Sequence, residues 1–254
     1  VAVALELIHM ATLVHDDVID DAATRRGQPT VKAKWDEKMA MYTGDYILGK
    51  ALSVIAELDE PDIHRILSHA MVQMVIGEME QLRMFYRLDQ SVRDYLLRIR
   101  RKTALLIAVS CQLGAMAAGV PHPMANRLYA YGYNAGMAFQ IRDDILDFQG
   151  TEKQLGKPPG SDMRQGNITL PVLYAMKDPA VRTAVENAAR YGTTDEDALK
   201  RAIAMVRRHP GIKEADALSR RYVGKAVRAL SALPDSSAKD DFKAIAKFLA
   251  DRTF

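Results

Sequence analysis

The chain has 254 residues, 48% of them hydrophobic, one cysteine and a formal charge of +3. That length supports one sizeable core, and so weak a charge, with no block of like sign, gives nucleic acid no footing. Cys111 lies alone in an apolar run, which excludes a disulfide framework and fits a reducing, cytoplasmic setting.

No segment has the unbroken apolar length of a membrane span, and 1–14 lacks the basic start and cleavage site of a signal peptide. The most apolar stretch, 104–120, is interrupted by Ser110, Gln112 and Gly114 and reads as a buried helix. Val1 opens in mid-pattern with no cap or preceding turn, so an N-terminal portion of the natural chain is expected to be missing. Apolar residues recur at helical spacing throughout, and no β-branched alternation stands out. Helices are expected at 1–21, 36–57, 61–87, 91–118, 123–148, 169–177, 179–190, 195–208, 212–232 and 236–251, in one all-α domain.

The first helix carries Leu5, Ile8, Thr12 and Leu13 into Asp16-Asp17-Val18-Ile19-Asp20, with Asp21 behind. Positions i and i+4 of a helix stack, so Asp16 and Asp20 share a face. Clustered carboxylates repel unless a positive charge sits between them. Oxygen-only ligands suit a hard cation, and Mg²⁺ takes one or two carboxylates plus substrate phosphates. A solvated acidic helix end is the competing reading for a single copy. His9, two turns before Asp16 and on its face, is assigned to the site, and His15 is read as structural. Arg25-Arg26-Gly27 follows, where Gly27 lets the chain turn and the arginines fold back, to bind phosphate or simply to neutralise the aspartates.

Arg98, Arg100, Arg101 and Lys102 form the densest basic group, read as a solvated helix face. Lys102-Thr103 opens the apolar helix, and Lys102 either snorkels or faces a cavity as a counter-charge to phosphate. A second pentapeptide, Asp143-Asp144-Ile145-Leu146-Asp147, follows Tyr131, Ala135, Ala138 and Phe139, with Gln140 one turn before it. Two copies, each behind an apolar helix and near basic residues, favour a diphosphate bridged by Mg²⁺. The irregular stretch 150–167 follows directly, and long loops in compact domains are usually functional. Within it Lys157 is placed to bring a cation down over bound phosphate. Thr169, with Pro171 after it, reads as a helix N-cap.

Taken together, Leu7-Ile8-His9, His15-Asp16-Asp17-x-x-Asp20-x-x-x-x-Arg25-Arg26-Gly27, Gly44-Asp45, Gly77-Glu78-x-x-Gln81, Lys102-Thr103, Phe139-Gln140-x-x-Asp143-Asp144-x-x-Asp147 and Gly156-Lys157-x-x-x-x-Asp162 resemble the trans-isoprenyl diphosphate synthases from end to end. The likeness is greatest, over 1–49 and 151–175, to the catalytic components of bacterial heterodimeric heptaprenyl diphosphate synthases. The resemblance implies a helical bundle whose two motif helices face each other across a central cavity. It implies Mg²⁺ on Asp16, Asp20 and Asp143, with Asp17, Asp144 and Asp147 also assigned to the metal site. Arg25, Lys102, Thr103, Gln140 and Lys157 are expected on the allylic diphosphate, and His9 and Arg26 on isopentenyl diphosphate. A further basic segment of the family lies upstream of Val1.

The implied reaction is head-to-tail prenyl transfer. Lys102 and Lys157 neutralise the leaving group, while Thr103 and Gln140 place negative dipoles near the allylic cation. The growing chain is expected to pass Ala11 and Thr12, with Val75 and Ile76 as candidates farther on. Small Ala11 implies a long all-trans product, of heptaprenyl length, for a quinone side chain and delivery to a membrane. A smaller, motif-poor partner subunit is expected. Three alternatives stand beside this: a terpene cyclase, against which the second aspartate motif argues; a non-catalytic subunit, against which both intact motifs argue; and a shorter-chain synthase.

Overall fold

The computed structural model describes residues 1–25, 27–155, 158–191 and 195–252. Its helices are α1 (Ala2–Ile19), α2 (Val31–Lys34), α3 (Glu37–Ala56), α4 (Pro61–Met84), α5 (Val92–Ile99), α6 (Leu105–Ala117), α7 (His122–Gln149), α8 (Glu152–Leu155), α9 (Ser161–Arg164), α10 (Leu170–Ala175), α11 (Pro179–Tyr191), α12 (Glu196–Arg208), α13 (Gly211–Ala229) and α14 (Ser237–Asp251). The chain is all-α, as its apolar periodicity predicts. The described residues add one two-rung hairpin, β1 (Thr24–Arg25) with β2 (Gln28–Pro29). Strands this short carry no alternation to read. None of the described helices is long and apolar enough to cross a membrane.

The contacts gather into two compact units. The first comprises Val1–Ser68 and Leu113–Val120, the second His69–Gln112 and the chain from Pro121 onward. In the first unit α1 packs along α3, burying Ala4, Leu5, Ile8 and Ala11 on one side and Ala40, Ala51 and Ile55 on the other. The alanines among them let the two helix backbones approach closely. In the second unit α7 is the central element, and α13 packs along it. Ile141, Ile145 and Phe148 of α7 are fully buried, and the Ser219 hydroxyl of α13 donates to the Ala138 carbonyl at 3.0 Å. Buried side chains surround α7, which is how an internal helix reads.

Three expectations change in detail. The helix expected over 91–118 is interrupted by a π-helical turn, Arg100–Ala104, between α5 and α6. The stretch 150–167 is not wholly irregular, since it holds the short helices α8 and α9. Thr169 does occupy the N-cap of α10, but its hydroxyl makes no capping bond and is buried without a partner. Pro171, the second helical residue, removes one of the two N–H groups that an N-cap hydroxyl can accept from.

The π-helical turn is clasped by glycines. A Cβ on Gly136 of α7 would stand 2.7 Å from the Ala104 Cα, and one on Gly77 of α4 2.7 Å from the Arg101 Cβ. Alanine usually stabilises a helix interior over glycine by about 1 kcal/mol, whereas overpacking against backbone costs about 1–3 kcal/mol. At Gly136 the neighbouring atoms include backbone, so the second effect wins. Gly136→Ala is expected to lower stability by about 1 kcal/mol in urea titration; an increase would refute the tight contact.

Candidate functional site

The first motif ends its helix. Asp20 is the C-cap of α1, its N–H donating to the Asp16 carbonyl at 2.8 Å, so Asp16 and Asp20 keep their helical stacking. Asp21 then takes a positive φ of 52° and the chain reverses into the β1–β2 hairpin, with Gly27 at φ 75°. That reversal carries Arg25 back to Asp17, Nε donating to Oδ1 at 2.7 Å. The expected fold-back thus occurs for Arg25, while Arg26 lies outside the described residues. Asp17, expected among the metal ligands, is 5% exposed and has this oxygen committed to Arg25. His9 is half-buried on the same helix. His15 pairs with Asp45 at 3.2 Å, and the absent side chain of Gly44 makes room for its ring.

The second motif sits near the end of α7. The Asp143 carboxylate is paired with the Arg252 guanidinium, which also lies 4.6 Å from the Phe139 ring centre. The Arg252 carbonyl in turn accepts from Arg142 Nε at 2.7 Å. Asp144 is 3% exposed, and both of its oxygens accept hydrogen bonds: Oδ1 from Gln140 Nε2 at 2.9 Å and Oδ2 from the Tyr95 hydroxyl at 2.6 Å. It too was expected to ligate metal, yet protein donors engage it on both sides. Burial pushes its pKa up to about 7; the nearby Asp162 adds to the rise, and Tyr95, Gln140 and Arg98 pull against it. Asp147 is buried as well, its Oδ2 accepting the Asp162 N–H at 3.3 Å, and its carbonyl accepts the Gly160 N–H at 2.8 Å. These bonds fasten the loop after α7 to the motif. Gly156 and Lys157 lie outside the described residues.

The π-helical turn presents the basic residues. Lys102 Nζ donates to Glu78 Oε2 at 3.1 Å, and the Thr103 hydroxyl donates to Gln140 Oε1 at 2.6 Å. Lys102, Thr103, Gln140 and the second aspartate motif therefore belong to one hydrogen-bonded neighbourhood. π-helical turns often mark functional positions. Arg101 pairs with Glu80. Arg98, read from the sequence as part of a solvated face, is instead 4% exposed and donates to Gln90 Oε1 at 2.9 Å and the Ile168 carbonyl at 2.7 Å.

Among the described residues no three His, Cys, Asp or Glu side chains converge as a ready-made metal cage. The motifs nevertheless suit a hard cation that brings phosphate oxygens with it. Both lie at the C-terminal ends of their helices, where the macrodipole is negative and favours positive charge. Neither α1 nor α7 has a basic residue in its last turn, and each motif has drawn a guanidinium from elsewhere, Arg25 to Asp17 and Arg252 to Asp143.

Tyr95 and Arg252 were not singled out from the sequence, and Arg98 and Glu78 were given no role at the site. Tyr95, Arg98 and Lys102 stand at i, i+3 and i+7, a face that would have linked the first two to the lysine. Arg252 gives no such signal, because it meets Asp143 only through the tertiary fold.

An all-α chain with two aspartate pentapeptides at helix ends and a lysine–threonine turn bonded to one of them has the makeup of a prenyltransferase. Residues 1–206 match the polyprenyl synthetase family, and the chain belongs to it. It is 54% identical over its whole length to heptaprenyl diphosphate synthase component 2 of Geobacillus stearothermophilus, covering 79% of that protein. Among solved structures, heptaprenyl diphosphate synthase from Staphylococcus aureus superposes with a TM-score of 0.95 at 40% identity, over 99% of this chain and 79% of that one. A polyprenyl synthase from Caulobacter crescentus, complexed with calcium and isoprenyl diphosphate, gives 0.93 at 33% identity, over 99% and 77%. The fold is that of the isoprenoid synthases, and the chain is an enzyme of prenyl transfer.

The raised pKa of Asp144 has a sign. Between an ordinary value of 3.8 and about 7 the folded chain holds a proton that the unfolded chain has released. The stability this group contributes is therefore full below the lower value and lost as pH rises through the upper one. Across that window metal-free wild-type protein is expected to lose stability relative to Asp144→Asn as pH rises, measured by urea unfolding. Parallel pH profiles would show that Asp144 titrates normally.

Proposed function

We propose that the chain condenses isopentenyl diphosphate with an allylic diphosphate in a Mg²⁺-dependent reaction, yielding a long all-trans product of heptaprenyl length. The observation that carries this reading is the bonded run from Lys102-Thr103 through Gln140 into the second aspartate motif. Heptaprenyl length is supported by the component 2 relative at 54% identity. Magnesium held by Asp16, Asp20 and Asp143 would neutralise diphosphate charge. The chain's own residues do the rest. Arg25, Lys102 and Lys157 hold the leaving diphosphate, and Thr103 and Gln140 turn oxygen toward the allylic carbon as it gains positive charge. His9 and Arg26 hold isopentenyl diphosphate, whose double bond attacks that carbon. The proton then lost passes to the departing diphosphate. Apolar surroundings keep out water that would capture the cation.

We infer further that the chain is the catalytic subunit of a heterodimer. The name of the relative, a second component, supports this, and so does one face of α4. There Val72, Val75, Met79 and Leu82, with Tyr86 just beyond, repeat at heptad spacing and are each 49–60% exposed. That is the pattern of an apolar seam that docks a partner helix. Val75, a sequence candidate for the product path, stands on this outer seam. A cytoplasmic location belongs to the same reading, supported by Cys111, whose thiol burial pushes up to about 11.

The test is product chromatography with labelled isopentenyl diphosphate and an allylic primer, using the full-length protein with and without its small partner. Asp16→Ala and Asp143→Ala are each expected to cost at least about 100-fold in turnover, the scale of one preorganised electrostatic group. Wild-type turnover in either variant rejects the assignment. Ala11 is 1% exposed on α1, and Ala11→Tyr is expected to shorten the product to the farnesyl or geranylgeranyl range; an unchanged chain length rejects Ala11 as a wall of the product path.

A further inference from the structure

Tyr95 belongs to none of the motifs, yet the direction of every bond beside Thr103 depends on the group it holds. Its side chain is fully buried, and its hydroxyl donates to Asp144 Oδ2 at 2.6 Å. On its other side Asp144 Oδ1 accepts from the Gln140 amide nitrogen at 2.9 Å. The Gln140 oxygen is thereby turned to Thr103, whose hydroxyl must donate to it, at 2.6 Å. A threonine hydroxyl has one proton, and this one is used. Toward anything else, Thr103 offers lone pairs alone.

We propose that Tyr95 is a positioning residue for prenyl transfer: by fixing Asp144 it sets the direction of the Asp144–Gln140–Thr103 relay and keeps the Thr103 hydroxyl an acceptor. The inference rests on the function proposed above. When the allylic C–O bond breaks, its electron pair leaves with the diphosphate and the carbon is left positive. The isopentenyl double bond then supplies the electrons of the new C–C bond, and a proton departs to the diphosphate. An acceptor hydroxyl stabilises the positive carbon, whereas a hydroxyl free to reorient would turn its proton to the diphosphate and lose that orientation. Arg98, one turn on from Tyr95 and 5.7 Å from its ring centre, is tied to Gln90 and Ile168 and keeps the ring in place.

The experiment uses the full-length protein with its partner and four forms: wild type, Tyr95→Phe, Thr103→Val and the double variant. Tyr95→Phe keeps the ring and removes only the donor. Single-turnover condensation is expected to slow about 10-fold, the scale of one hydrogen bond to a charged group. Thr103→Val is expected to slow it roughly 10- to 100-fold. If Tyr95 acts through Thr103, the double variant is no slower than Thr103→Val alone, because coupled sites are not additive. Affinity for an unreactive allylic thiolodiphosphate, measured by calorimetry, is expected to stay within about two-fold in Tyr95→Phe, since Thr103 does not donate to phosphate. A wild-type rate in Tyr95→Phe, multiplicative losses in the double variant, or a parallel loss of analogue affinity each overturn the relay. Failure of Tyr95→Phe to fold also overturns it, by making the residue purely structural. A wild-type protein that makes no prenyl product overturns the function and the relay with it, whereas an active wild type with an unaffected Tyr95→Phe overturns the relay alone.

Discussion

A carboxylate buried near the C-terminal end of the packed helix α7 is the constraint around which the second unit is arranged. An isolated buried charge costs several kcal/mol unless it is hydrogen-bonded or paired. Asp144 recruits Tyr95 from α5 and Gln140 from its own helix. Arg98 lies one turn from Tyr95 and is itself bonded to Gln90 and to the Ile168 carbonyl beyond the loop. One buried carboxyl and its neighbours thus tie together α5, α7 and the segment entering α10. An apolar residue of similar size would relieve the desolvation cost, and buried ion networks are often neutral or worse for stability. The network ends at Thr103, beside Lys102.

The glycines extend the same logic to backbone. The π-helical turn that carries Lys102 and Thr103 lies between Gly77 and Gly136, whose missing side chains allow α4 and α7 to approach it. Held on both sides, the turn has little freedom to relax into a regular α-helix, and the lysine and threonine keep their bonds to Glu78 and Gln140. Rigid elements hold a site more accurately than loops do, and here an irregular turn is made rigid by packing.

Helices were legible because apolar periodicity over ten or more residues is a redundant signal. The expected start and end of the helix over 123–148 fall one residue inside the observed His122–Gln149. The π-helical turn was not legible, since one extra residue in a turn leaves the apolar spacing on either side intact. Nor was the burial of Arg98, because a run of basic residues reads as solvated until a tertiary partner, here the Ile168 carbonyl, accepts the charge. The acidic motifs were plain as spacing, but their individual roles were not, because which carboxylate turns inward depends on the neighbours the fold supplies.

That last point is where helix geometry and the structure meet. Residues i and i+4 stack, whereas residue i+1 is turned about 100° away. A pentapeptide with aspartates at the first, second and fifth positions therefore offers one face of two carboxylates and a third pointing elsewhere. In both copies the second aspartate is buried and held by protein donors, Asp17 by Arg25 and Asp144 by Tyr95 and Gln140. It acts as an anchor that fixes the roll of its helix end. The copies differ at the fifth position. Asp20 caps a helix end, while Asp147 is buried and accepts from the Asp162 backbone. The second pair is thereby joined to α9, whose Asp162 N–H Asp147 accepts.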